Sequence, residues 1–463
     1  MGDMHHEVFW TRGRRIDPGP KLAGSHSASV AIVGGGIAGL TVADELSRRG
    51  VKEIVLLEAR TCGAAASGRS SGFITPPSEL GLFELRHRFG DAAARILWDA
   101  AQGGCDAIAE RIDRYQIDCG YLPADSLYIA SDDRSTRLVQ REHDARRDLG
   151  YPSHVYDRST VTSVIGGRGF GAGVRFGHTF AINSFDYIRA LRARLADVGV
   201  RIFEDSPVTS VAGEEVRTRE GVVRADTVFF CLDHAAGGIR TSKRDVYHAQ
   251  TCLAVSEPLD ESLHQSVFPD GPLMVWDTDL IYQYFRPTTD RRLLVGGGLL
   301  SRTYASERPI DAAPVEHLLR YVRRRFPQLA PLRFEATWSG LIGVTKDLLP
   351  LAGKIEGTSR HYAALCSAGL PWSTLAARVA VEVALEGDSA LAEFIRPTRS
   401  FTEIELLQPL LRKPLTFALS HAYAKSLLRG TPRAVARRKR AIGWTLIGGL
   451  VGAAVALLWK RRL

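Results

Sequence analysis

Apolar positions along this chain recur in two periods, and the alternation between them lays out the elements. Residues 29–33 (SVAIV) and 54–57 (IVLL) are short apolar runs, and residues 37–49 between them repeat apolar side chains at helical spacing. Runs of that length beside glycine predict strands, and the 3.6-residue spacing predicts a connecting helix. Helical spacing returns over residues 80–116, 135–149, 184–196 and 314–326, while residues 249–300 read mostly as strands broken by turns. A strand, a glycine turn and a long helix are predicted over residues 361–387. Strands alternating with helices and then a block of strands predict an α/β protein. In it a Rossmann-like dinucleotide-binding domain is interleaved with a mixed-sheet α+β domain.

The first strand-helix-strand unit carries GxGxxG at Gly34, Gly36 and Gly39. Gly34 permits the tight turn, Gly36 lets a pyrophosphate approach bare backbone at the helix N-terminus, and Gly39 lets helix and strand pack closely. Glu58 ends the second strand, where a ribose hydroxyl needs an acceptor. A carboxylate there repels a 2′-phosphate and argues against NADP, while NAD and FAD both remain open. The following residues 61–77 are rich in glycine, serine and alanine, and such a loop can lie against a flat cofactor.

At 463 residues the chain is long enough for a large core and two intertwined domains. The formal charge of +9 does not indicate a nucleic-acid partner. Eight basic residues and no acid follow Thr431, so the body is close to neutral. Between the two basic clusters, residues 441–459 (AIGWTLIGGLVGAAVALLW) carry no charge. As a helix they span roughly 28 Å, the thickness of a bilayer core. They are expected to form a C-terminal transmembrane helix, with a buried core helix as the alternative. Residues 1–15 are polar with no apolar run before Val30, so the catalytic body is expected in the cytoplasm, anchored by that helix. The six cysteines show neither CxxC pairs nor metal-ligand spacing, and no metal is expected.

Taken together these segments resemble the FAD-dependent amino acid and amine oxidase family, which includes D-amino acid, glycine and sarcosine oxidases. Within it they resemble the bacterial gamma-glutamylputrescine oxidoreductase type. The likeness rests on ASGRSSGF at residues 66–73, IYQYFRPTTDRRLLVGGG at 281–298, GLIGVTKDLLPLAG at 340–353 and SAGLPWSTLAARVA at 367–380. It implies FAD as cofactor. The binding residues, from the glycine motif and the resemblance together, are Gly34, Gly36, Ile37, Ala38, Gly39, Glu58, Ala59, Arg60, Ser67, Gly68, Arg69, Ser71, Gly72, Val208, Gly369, Leu370, Pro371 and Trp372. The resemblance divides the chain into an arm (1–28), an FAD-binding domain (29–80, 155–248 and 335–400) and a substrate domain (81–154 and 249–334). A linker with interfacial helices (401–440) leads to the membrane span (441–459).

Two departures matter. Amino-acid-specific members carry GLRP where this chain has Gly340, Leu341, Ile342 and Gly343, so the arginine that grips a substrate carboxylate is missing. FFCLDHAAGG at residues 229–238 replaces the family's alanine-glycine turn. The expected activity is oxidation of a C–N bond of an amine or amino acid derivative by hydride transfer to flavin, giving an imine that hydrolyses. Molecular oxygen is the expected acceptor, with membrane quinone as the alternative, and a non-catalytic membrane-tethered flavoprotein is the rival class. Lys346 is the candidate catalytic side chain, as a cation that stabilises superoxide. Tyr282, Tyr284 and Arg286 are candidate substrate-wall residues, placed on one strand face by period-two alternation.

Overall fold

The computed structural model describes residues 5–77, 79–233, 246–279, 281–303, 312–345, 347–358, 360–365 and 369–399. The expected linker, the membrane span and Lys346 lie outside the described residues. Among the described residues no helix is long and apolar enough to cross a membrane.

The first sheet is built on Gly24–Val33, flanked in parallel by Ile54–Leu57 and by Gly221–Phe230. Arg201–Phe203 continues it in parallel beyond Ile54–Leu57, and His361–Leu365 pairs in parallel with the far end of Gly221–Phe230. The apolar runs are strands because both faces are covered. Val30, Ile32, Ile54 and Leu56 pack into the cluster that holds the helices Ile37–Arg48 and Leu370–Glu386. Ala31, Val33, Val55 and Leu57 pack the opposite way, with Leu22, Val216 and Val223.

The second sheet runs Phe334–Thr345, Val246–Pro258, Arg292–Thr303, Tyr284–Pro287, Leu273–Asp277, Asp125–Ile129, Gly173–Phe176, His154–Tyr156. All its pairings are antiparallel except Leu273–Asp277 with Asp125–Ile129. Val275, Phe285, Leu293 and Val295 on one face pack against Val315, Leu318, Val322 and Phe326 of the helix region Ala312–Arg325 and the residue after it. The other face, with Leu253, Trp276, Tyr284 and Ile342, borders a large chamber.

The sheets divide the chain at different points from the sequence-based division. Phe334–Thr345 and the strands between 154 and 176 belong to the second sheet, whereas the resemblance places 155–248 and 335–400 in the FAD-binding domain. The arm is likewise shorter than expected, because the first strand begins at Gly24. Local apolar pattern locates strands but carries no information on which sheet a strand joins.

Candidate active site

The glycine motif does three different things. Gly34 has φ +111°, and a Cβ there would lie 2.2 Å from the Cys231 carbonyl oxygen. A Cβ on Gly39 would lie 1.9 Å from the Gly34 carbonyl oxygen, so the helix can sit this close only without a side chain. Gly36 is extended (φ −80°, ψ −174°), and its Cβ would meet only Ser67, at 3.1 Å from Oγ. It therefore borders open chamber, as a site for an approaching pyrophosphate requires. Ser67 Oγ accepts from the Ile37 amide at 3.1 Å. The Glu58 carboxylate accepts from the amides of Gly35 at 2.7 Å and Arg60 at 2.9 Å, which orients it at the strand end.

The small-residue loop is pinned from outside. Trp338 Nε1 donates to the Arg69 carbonyl, Trp10 Nε1 and Ser184 Oγ to that of Ser70, Arg286 Nε to that of Ser71, and the Ile182 amide to that of Gly72. Four consecutive carbonyls are thus satisfied by donors from distant parts of the chain, and the loop is held rigid while Ser67, Arg69, Ser70 and Ser71 still line the chamber. Gly68 and Gly72 are packing positions rather than lining ones: their Cβ atoms would lie 2.1 Å and 1.9 Å from the carbonyl oxygens of Gly63 and Ile182.

The chamber holds about 1270 Å³, and Glu58, Val208, His361, Gly36, Ser67, Tyr282 and Tyr284 are among the residues that line it. That volume exceeds the roughly 300–1,000 Å³ of an ordinary small-molecule site and leaves room for a dinucleotide and a substrate together. A glycine cradle, a helix N-terminus, an oriented acid and a long cavity fit FAD. Gly34, Gly36, Ile37, Ala38, Glu58, Ala59, Arg60, Val208, Gly369, Leu370 and Pro371 all line it. The helix Leu370–Glu386 starts at Gly369, with φ +94°, and directs its N-terminus and Ser373 to the chamber. Trp372 is buried instead, and its Nε1 donates to the Pro76 carbonyl at 2.8 Å.

The three substrate-wall candidates separate. Tyr282 and Tyr284 line the chamber with ring centroids 5.9 Å apart. Tyr284 lies over Gly296 of the neighbouring strand, where a Cβ would come within 2.2 Å of its ring. Burial pushes both tyrosine hydroxyls upward, with Glu79 adding to the effect at Tyr282. Arg286 does not meet its expectation as a wall residue. Its side chain is 2% exposed, borders a separate groove, and donates to the carbonyls of Ser71 (2.7 Å), Ile182 (2.8 Å) and Pro287 (2.9 Å). Burial lowers its pKa to about 9. Alternation set its face correctly, but the Ser71, Ile182 and Pro287 carbonyls take up its donors.

Sequence reasoning missed Glu79, Trp276 and Gln250 in the chamber lining. Only Glu79 left a signal, as an isolated acid between the small-residue loop and an apolar stretch. Asp233, in the departure at residues 229–238, also lines the chamber and accepts from the Gly343 amide at 2.9 Å, which ties the end of one sheet to the other.

The profile of the FAD dependent oxidoreductase family (DAO) matches residues 29–383. The chain is 28% identical over 403 residues to the gamma-glutamylputrescine oxidoreductase of Escherichia coli, covering 84% of this chain and 91% of that protein. It is 27% identical over 385 residues to a probable oxidoreductase OrdL of Haemophilus influenzae, covering 81% and 87%. Its fold is similar to that of the glycine oxidase of Geobacillus kaustophilus, with a TM-score of 0.68, 20% identity, and coverage of 81% of this chain and 100% of that one. Because the profile spans both the glycine motif and the chamber wall, this chain belongs to the DAO family of FAD-dependent oxidoreductases.

Proposed function

We propose that the protein oxidises the C–N bond of an amine or an amine conjugate rather than of a simple α-amino acid. The observation that carries this reading is the chamber wall. Ile342 lines it at the position where the resemblance places a carboxylate-gripping arginine, and Arg286 is committed to three backbone carbonyls. Arg69, which also lines the chamber, donates to the Ala64 and Ser339 carbonyls. A substrate carboxylate would lie against apolar and aromatic side chains, at a cost of several kcal/mol. A neutral amine carries no such penalty. The E. coli relative, by its name, acts on gamma-glutamylputrescine, an amine conjugate.

The chemistry supplied by bound FAD is two-electron oxidation: a hydride leaves the carbon next to nitrogen, and the imine left behind takes up water to give a carbonyl compound and the freed amine or ammonia. The chain's own part is placement. Gly36 and the Ile37 turn would hold the pyrophosphate and Glu58 the ribose, the loop pinned at residues 69–72 would border the cofactor, and Tyr282 and Tyr284 would hold the substrate. The Leu370–Glu386 helix directs its positive end into the chamber, where it favours negative charge that develops on reduction. Oxygen is the proposed acceptor.

A second reading rests on the uncharged residues 441–459 between basic clusters: the body is anchored in the membrane, faces the cytoplasm and passes electrons to quinone. Under anaerobic conditions alkylamines and N-substituted amines should bleach the flavin faster than glycine, alanine or proline. Faster bleaching by free amino acids refutes the substrate class, and bleaching by neither favours a non-catalytic flavoprotein. Peroxide release measured against quinone reduction separates the two acceptors.

A further inference from the structure

We infer that the N-terminal arm is a strap that holds the FAD cradle in shape from outside the chamber, and that Trp10 is its positioning residue. This rests on the family assignment and holds whichever amine is oxidised. The loop to be held is rich in glycine, serine and alanine, so few of its own side chains can fix it. Three consecutive carbonyls are fixed by donors from elsewhere: Arg69 by Trp338 at 2.9 Å, Ser70 by Trp10 at 2.9 Å and Ser71 by Arg286 at 2.7 Å. Those donors touch one another. The Trp10 and Trp338 rings meet edge to face with centroids 6.0 Å apart, and the Arg286 guanidinium lies 5.8 Å from the Trp10 ring centroid. Trp10 is therefore the middle member of a row, and it is only 6% exposed although it belongs to the arm.

The arm is fastened on both sides of Trp10. Before it, the His5 amide donates to the Glu335 carbonyl and the Thr337 amide to the His5 carbonyl, each at 2.9 Å, which lays the arm beside Phe334–Thr345. That strand carries both Trp338 and the chamber residues Gly340, Ile342 and Val344. After it, Arg14 pairs with Asp186, the Gly19 amide donates to the buried Glu204 carboxylate, and the Leu22 amide donates to Ser206 Oγ at 2.9 Å. The segment gripped there adjoins the ribose acid. Its Asp205 amide donates to the Arg60 carbonyl at 2.7 Å and its Ser206 amide to the Glu58 carbonyl at 2.8 Å. One stretch of chain thus joins the wall strand, the small-residue loop and the Glu58 strand end, three separate parts of one chamber lining. Parts held in place before a ligand arrives bind it more tightly, because less ordering is left to be done on binding.

The test uses the full chain, stripped of FAD and reconstituted. Trp10→Phe keeps an aromatic ring in the arm and removes only the indole donor. His5→Pro removes an exposed arm amide and leaves all three loop donors unchanged. The readouts are FAD Kd, and hydrogen exchange of the flavin-free protein over residues 66–73 against the helix Ala312–Arg325, which packs on the opposite face of the second sheet and reports general stability. Trp10→Phe should raise Kd about tenfold or more and speed loop exchange by about tenfold, while exchange in the distant helix changes by less than about twofold. His5→Pro should move Kd and loop exchange in the same direction by about threefold. An unchanged Kd in folded Trp10→Phe, or loop exchange that quickens no more than that of the distant helix, overturns the inference. Should Trp10→Phe fail to fold, His5→Pro decides it, and an unaltered Kd or unaltered loop exchange there overturns it.

Discussion

Substitutions at Gly36 and Gly39 should separate cofactor binding from folding, although both glycines belong to one motif. At Gly36 the backbone (φ −80°, ψ −174°) suits any residue, and an added Cβ meets only Ser67 Oγ at 3.1 Å. Pressing on Ser67 endangers its bond from the Ile37 amide, a loss of about 0.5–1.5 kcal/mol. Removing a glycine from the unfolded chain offsets about 0.4–1 kcal/mol of that. The apo stability of Gly36→Val should therefore stay within about 1 kcal/mol of wild type, while its methyls stand in the chamber and exclude the pyrophosphate. At Gly39 the added Cβ would lie 1.9 Å from a backbone oxygen, so the helix Ile37–Arg48 must move off the sheet. Overpacking of this kind costs about 1–3 kcal/mol. The assay is the FAD-to-protein ratio after desalting, with melting followed by circular dichroism on flavin-stripped protein, because bound cofactor adds its own stabilisation. A fully yellow Gly36→Val, or a flavin-stripped Gly39→Ala that melts like wild type, refutes the assignment of roles.

Asp347 is 2% exposed and pairs with Arg399 at 2.7 Å and Arg88 at 3.6 Å. Burial alone pushes its carboxyl upward, but the two guanidiniums outweigh this and hold it below its ordinary value. Its contribution is therefore present above the ordinary carboxylate range and lost as pH falls through the depressed value. Asp347→Asn should destabilise by about 3–5 kcal/mol at pH 7, read by denaturant titration, and should flatten the acid limb of the pH-stability curve. Asp277 behaves in the opposite sense: burial, helped by Asp279, raises its carboxyl to about 6. That stabilisation is full below the unfolded value near 4 and is lost as pH rises through about 6. Asp277→Asn should remove this fall in melting temperature between about pH 4 and pH 6.5. Arg286→Met should lower stability and FAD retention, by about 2–4 kcal/mol in stability, without shifting the preference between amines and amino acids. A selective loss of amino-acid oxidation would return Arg286 to the substrate. A chain ending at Gly430 should stay FAD-loaded and bleach with substrate but leave the membrane fraction, and its retention there refutes the proposed anchor.

The cofactor end of this protein was legible in the sequence because its requirements are local. A turn with positive φ, a helix N-terminus and an acid at a strand end lie within 25 residues, Gly34 to Glu58, and each needs a particular residue type. The helices and most strands were legible for the same reason, since periodicity records which side of a segment is covered. Tertiary structure alone decided what those faces meet. Tyr284 and Arg286 alternate onto one face as expected, yet one ring borders the chamber and the other side chain binds the Ser71, Ile182 and Pro287 carbonyls. Sheet membership was equally hidden: Phe334–Thr345 falls almost wholly in the span that the resemblance gives to the FAD-binding domain but joins the second sheet through register with Val246–Pro258. The position of Glu79 beside Tyr282 depends on packing across 203 residues of chain. Contacts of that range arise from how layers stack, and no local pattern of residues specifies them.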